Sequence, residues 1–257
     1  MIPYHGTPMT PESAAAEILA GRHALVSFAT PEQIVLVAEV CRSFILDNGA
    51  FTFWKNGAAP DWQAYLRMVL DWHQHPAFDW CLIPDVIDGT EEDNDDLLRW
   101  WEQNMKYRPE IGVPVWHLHE SLSRLQTLAT WHQRIAIGSS GEFATIGTRR
   151  WWSRMAEAMT TICQDGKPET KIHGLRMLDP EIFTRFPFSS ADSSHIARSI
   201  GIDSKWTGSY RPATKASRGI VLAERVEALQ SAPTWDSHAI QNGLFHPLEE
   251  LEEREAS

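Results

Sequence analysis

Apolar and polar positions along the chain alternate between two patterns. Short, nearly continuous apolar runs are what a strand shows when both its faces are buried. They occur at Ala24–Phe28, Ser43–Leu46, Phe78–Val86, Val113–His119, Arg134–Ile137, Lys171–Met177 and Phe188–Ala191, with Ile2–His5 an eighth candidate. Between them lie stretches with helical spacing or helix start and stop signals. These run from Thr10-Pro11 to Gly21, then Pro31–Cys41, Asp61–His73, Glu91–Met105, Ser121–His132, Arg149–Gln164, Asp179–Phe186 and Gly219–Gln230. In Asp61–His73, the residues Trp62, Tyr65, Leu66, Val69 and Trp72 form one stripe, which predicts core rather than an exposed stacking platform. Strand–helix alternation predicts a parallel sheet covered by helices. Seven strands and an eighth candidate favour an α/β fold of the TIM type, a (β/α)8 barrel with local irregularity, over an open doubly wound sheet.

The 257 residues suffice for one such domain, with its core ending near residue 230 and an acidic tail at 248–257. A formal charge of −11 argues against a broad basic surface, so any phosphate contacts must be local. Much of the acid sits in Glu91–Asp96, behind the N-cap candidate Thr90, and in Glu249–Glu255; both read as solvated helix-end or tail charge. Cys41, Cys81 and Cys163 are far apart, which suits neither a disulfide framework nor a thiolate zinc site. No stretch is apolar enough to span a bilayer and the N-terminus lacks signal-peptide regions, so a cytoplasmic protein is expected. Phosphate-cradling glycine patterns are also missing, and no cofactor is expected.

Chemistry gathers where the strands end. Asp47 follows Ser43–Leu46 and precedes Asn48-Gly49; Asp85 follows Pro84; His117 and His119 close another run; Gly138-Ser139-Ser140 and Asp192 close two more. In a barrel these positions converge on one mouth, where burial and like charge separate carboxyl pKa values. Asp47 also has a plainer reading as a turn cap. His117 and His119 also read as hydrogen-bonded packing residues, and a lesser alternative makes them, with Asp192, the ligands of a metal-dependent hydrolase. Asp79, Asp88 and Asp95 lack a strand-end context and read as surface residues, and His173 falls at the start of its strand, away from the mouth.

Leu46-Asp47-Asn48-Gly49-Ala50-Phe51 resembles the Asp-Ser-Gly-Gly-Phe motif of tRNA-guanine transglycosylases. Ala136–Glu142 is similar to their glycine-rich base-binding strand, Ile172–Met177 to the strand after it, and Ser190–Ser194 to the segment with the nucleophilic aspartate. The order holds over roughly Tyr4–Arg198. The resemblance implies a TIM barrel that exchanges guanine for a deazaguanine through a covalent glycosyl-enzyme intermediate. It implies Asp192 as nucleophile and Asp47 as general acid/base, with Asp85, Asn48, Gly49, His117, His119, Gly138, Ser139 and Ser140 around the base. The family's Gly-Leu pair is Ser139-Ser140 here, its glutamine has no match, and its cysteine-rich zinc site and RNA-binding module are missing. Those departures look like the phage DNA deazaguanine transglycosylase branch, which implies a DNA acceptor, a 7-deazaguanine co-substrate of the preQ0 type and no metal. Arg198, Lys205 and Arg211 are then the candidate phosphate contacts, and Trp206 and Tyr210 either stack on a base or pack on the barrel. A tRNA acceptor and a non-catalytic nucleic-acid-binding barrel remain the alternatives.

Overall fold

The computed structural model describes residues 1–201, 206 and 210–236. In chain order the elements are β1 (Ile2–Gly6), α1 (Glu12–Leu19), β2 (His23–Ser27), α2 (Ile34–Val40), β3 (Ser43–Asp47), α3 (Ala50–Lys55), α4 (Trp62–Trp72), β4 (Phe78–Leu82) and α5 (Glu91–Asn104). There follow β5 (Gly112–Val113), β6 (Val115–His117), α6 (Leu122–Trp131), β7 (Arg134–Gly138), α7 (Arg149–Ile162), the small hairpin β8 (Cys163–Gln164) and β9 (Lys167–Pro168), and β10 (Lys171–Gly174). The last are α8 (Pro180–Phe183), β11 (Ser190–Ser193), α9 (His195–Ser199) and α10 (Lys215–Glu227).

The main sheet runs β5-β4-β3-β2-β1-β11-β10-β7-β6, and its pairings are parallel. Its two edges are halves of one segment, parted by Pro114. Proline has no N–H for a ladder. Its carbonyl still accepts from Ala136 N at 2.9 Å, and the neighbouring Val113 carbonyl accepts from Ile83 N at 2.9 Å. Residues 112–117 therefore bridge β4 and β7, and the nine short strands make an eight-membered barrel that closes at Pro114. This is the TIM-type architecture that the alternation predicts, and Ile2–Gly6 is a full member between β2 and β11.

Inside the barrel, Tyr4, Leu25, Ile45, Trp80, Leu82, Val115 and Ala136 form one apolar layer. Two larger clusters fill the space between sheet and helices, one around Ile18, Phe44, Tyr65 and Trp101, the other around Trp116, Trp151, Met155 and Phe186. The stripe on α4 belongs to the first of these, as expected. Below the apolar layer the interior is polar. Tyr4 Oη donates to Asp79, and the Arg134 guanidinium lies 5.0 Å from the Trp80 ring centre. Asp79 is thus exposed, as expected, but holds a buried phenol; Asp95 is not free either, pairing with Arg124 at 2.8 Å. Asp88 is exposed.

Element ends move for local reasons. The run Phe78–Val86 is a strand only as far as Leu82, with one more ladder bond from Ile83 N, and Val113–His119 is cut by its proline. Lys171–Met177 stops at Gly174, two residues before Arg176 takes a left-handed φ of 60°. The final strand is Ser190–Ser193 rather than Phe188–Ala191, so Asp192 lies within the ladder, not after it. Helix α10 starts before the expected Gly219 because Thr214 caps it, accepting from Ser217 N at 3.0 Å. Thr90 caps α5 through a reciprocal box with Asp93, as its spacing suggests. The acidic tail at 248–257 lies outside the described residues.

Candidate active site

A cavity of about 620 Å³ opens at the C-terminal ends of the strands, lined among others by Asp47, Asp85, His117, Gly138, Arg176 and Asp192. The barrel brings these together from β3, β6, β7, β11 and the loops after β4 and β10. Asp47 ends β3, and its Oδ2 accepts from Ser27 Oγ at 2.8 Å and Gly49 N at 3.1 Å. The turn-cap reading therefore holds for one oxygen. Its Oδ1 has no partner among the described residues and is not sealed from solvent. Burial pushes the Asp47 carboxyl up to about 7; the Ser27 and Gly49 bonds oppose that rise, while Asp192 and Asp85 add to it.

Asp192 is 7% exposed and arranged in the same way. Its Oδ1 meets His173 Nε2 at 3.2 Å and accepts from Arg176 N at 3.0 Å, leaving Oδ2 without a partner among the described residues. His173 stands in the third position of β10 rather than at its start, and it contacts Asp192 from beneath the cavity, whose wall it does not line. The reason is geometric: β10 ends one residue later, at Gly174, rather than at Met177. The Arg176 guanidinium carbon stands over Phe51, 4.3 Å from the ring centre, and its NH2 donates to the Ser139 carbonyl at 2.7 Å. Phe51 and Arg176 both line the cavity, and an aromatic ring and a guanidinium are side chains that stack on flat heterocycles.

On the opposite wall Asp85 is 6% exposed and both its oxygens are engaged. Oδ1 accepts from Asn48 Nδ2 at 2.6 Å, and Oδ2 lies 2.8 Å from His117 Nε2. His117 is buried, and its Nδ1 has no partner among the described residues. A Cβ added to Gly138 would stand 3.1 Å from that nitrogen, so a side chain there would crowd the buried ring. Behind this group Glu120 accepts from His117 N at 2.9 Å, from Asn94 at 2.9 Å and from Arg124 at 2.9 Å. Asn94 Oδ1 in turn accepts from Val86 N at 2.7 Å, which ties the loop bearing Asp85 to α5.

Other candidates lie elsewhere. His119 is exposed, bonded to Ser140 Oγ at 2.8 Å, and neither residue lines the cavity. The His117 and His119 rings stack at 5.7 Å with different partners, and no group of three His, Cys, Asp or Glu among the described residues is placed to hold a metal. The Ser139 hydroxyl accepts from Trp151 Nε1 at 2.9 Å. Arg198 is exposed on α9 and lines the cavity; Arg211 is exposed before α10; Lys205 lies outside the described residues. Trp206 is buried core and Tyr210 is exposed. Gly49 is off the cavity wall but turns β3 into α3 at φ 77°, with Ala29 N only 2.9 Å from where a Cβ would stand. Gly49→Ala should cost about 1–3 kcal/mol in urea denaturation, and an unchanged midpoint would mean the turn relaxes freely.

Residues the sequence reading missed are Ser27, Phe51, Arg176, His173, Glu120 and Asn94. Ser27, Glu120 and Asn94 carry no local motif, and Phe51, His173 and Arg176 stand inside resembling segments without an assigned role there. The contacts that mark them, such as Ser27–Asp47, Asn94–Glu120, Arg176–Asp192 and Phe51–Arg176, join parts of the chain distant in sequence. Among the described residues no helix is long and apolar enough to cross a membrane. No known family model and no curated protein matches the chain. Among solved structures, a protein from Aquifex aeolicus VF5, described only as a structural study, superposes with a TM-score of 0.51 at 11% identity, covering 90% of this chain and 93% of that one. At that identity the likeness is one of fold.

Proposed function

We propose that the protein is a two-carboxylate transglycosylase that exchanges guanine in DNA for a 7-deazaguanine of the preQ0 type. The observation that carries this reading is the Asp47–Asp192 pair, two carboxyls on one cavity, each pinned through one oxygen and open at the other. In the first half-reaction Asp192 Oδ2 attacks the anomeric carbon, a C–O ester forms, and the N-glycosidic bond breaks. Asp47, which retains a proton near neutral pH, transfers it to the departing base. In the second half Asp47 takes the N–H proton of the incoming base, whose nitrogen attacks the anomeric carbon and releases Asp192. A covalent carboxylate nucleophile divides one difficult displacement into two, and a positioned acid/base adds about 10²–10⁴-fold.

The polar wall is suited to reading a guanine-like edge. Asp85 holds His117 and Asn48 in place on the cavity wall. The Phe51–Arg176 pair suits the base's face. A base must leave the helical stack to enter such a cavity. Arg198, exposed at the cavity, is the cation we assign to a phosphate.

The test is exchange of labelled guanine or 7-deazaguanine into DNA and tRNA at equal salt. Label should enter DNA, with uptake falling steeply as salt rises. Uptake into tRNA alone would overturn the acceptor, and no uptake into either would overturn the reading.

A further inference from the structure

Beneath the cavity a line of polar side chains crosses the barrel interior. Arg134 NH1 lies 3.1 Å from Ser190 Oγ, Ser190 Oγ lies 2.9 Å from His173 Nδ1, and His173 Nε2 lies 3.2 Å from Asp192 Oδ1. Ser190 and His173 are fully buried. Arg134 also lines a separate cavity of about 370 Å³ at the other end of the barrel, so the line spans the interior.

Donor and acceptor roles along it are forced. A guanidinium only donates, so Ser190 Oγ accepts from Arg134. The serine proton then needs an acceptor, and among the described residues His173 Nδ1 is the one partner left to it. Nδ1 is consequently bare and Nε2 carries the ring proton. The opposite tautomer would leave a buried hydroxyl proton unsatisfied and turn the Nε2 lone pair toward a carboxylate oxygen. Each fault is of a kind that buried networks avoid.

We infer that Arg134, Ser190 and His173 are positioning residues that hold Asp192 through Oδ1 and so make Oδ2 the reacting oxygen. The order of donation runs Arg134 to Ser190 to His173 to Asp192, and the Arg176 backbone N–H completes the clamp on Oδ1. Two donors on one oxygen prevent the carboxylate from rotating. The other oxygen is left free to bond carbon. Burial also depresses the His173 pKa, which keeps the imidazole neutral and the tautomer meaningful. The assignment of Oδ2 as nucleophile rests on the proposed exchange reaction; the tautomer does not.

The experiment has two readouts. Ring ¹⁵N shifts of His173 in labelled full-length protein should show the neutral Nε2–H tautomer at pH 7. Ser190→Ala should disturb that pattern and lower kcat for exchange by about tenfold at unchanged KM, the scale of one lost charge-assisted hydrogen bond. Ser190→Thr, which restores a hydroxyl, should recover both. His173→Gln, whose amide can still donate, should fold and retain more activity than His173→Leu. A charged ring, or the Nδ1–H tautomer, in the wild-type protein would overturn the inference. So would a Ser190→Ala variant with unchanged ring shifts. If the ring shifts follow expectation while no acceptor is exchanged, the relay stands and the transglycosylase reading fails.

Discussion

Asp192→Asn should abolish exchange while leaving the fold intact. The amide is isosteric, and its oxygen can keep the His173 and Arg176 N–H contacts on the Oδ1 side. What disappears is the anionic oxygen facing the cavity, and an amide is too poor a nucleophile to replace it. Loss of a covalent nucleophile costs on the order of 10⁴-fold or more. Trapping assays should show a denaturation-resistant protein–DNA adduct with wild type and none with the variant. Circular dichroism and thermal unfolding should be nearly unchanged. An adduct that survives the substitution would remove Asp192 from the chemistry and make its clamp purely structural.

Asp47→Asn should separate catalysis from stability. With a carboxyl held at about 7, the wild-type protein would lose the proposed proton donor as pH rises through neutrality, so base release should slow over that range. The variant has no such limb and should be slower by about 10²–10⁴-fold where the acid is needed. Stability should move the other way. The unfolded carboxyl titrates near about 3.9. Between there and about 7 the folded chain keeps a proton that the unfolded chain gives up. Wild-type stability therefore falls as pH rises across that window and stays lower above it. The asparagine variant escapes this penalty. Its advantage should grow from pH 4 to pH 7, level off beyond, and reach about 1–3 kcal/mol, below the full linkage value because the half-buried carboxyl opens onto the cavity. Urea denaturation at several pH values measures it. Parallel wild-type and variant curves would show that Asp47 is ionised throughout.

The fold was legible because its cause is repetitive. Eight apolar runs separated by helical stripes leave few arrangements other than a closed parallel sheet, and chain order alone sets the neighbour of each strand. Strand ends were less legible. Pro114 splits a strand that reads as continuous, and the left-handed Arg176 backbone ends β10 early. That single shift put His173 near the end of its strand, in contact with Asp192 beneath the cavity.

By itself the sequence indicated that Asp47, Asp85, His117, Gly138 and Asp192 would meet, because each lies at or near the C-terminal end of a strand and those ends share one mouth in a barrel. The same reasoning also gathered His119 and Ser140, which do not line the cavity. Only the tertiary structure decided what each does there. Hydrogen-bond partners across a barrel come from strands distant in the chain, and no local spacing encodes them. Ser27 and Gly49 pin one oxygen of Asp47, Asn48 and His117 occupy both oxygens of Asp85, and Ser140 draws His119 off the cavity wall. Neither Arg176 resting on Phe51 nor the Arg134–Ser190–His173 line has any signature in the chain, since each depends on inward-facing positions of strands or loops that only closure brings within reach.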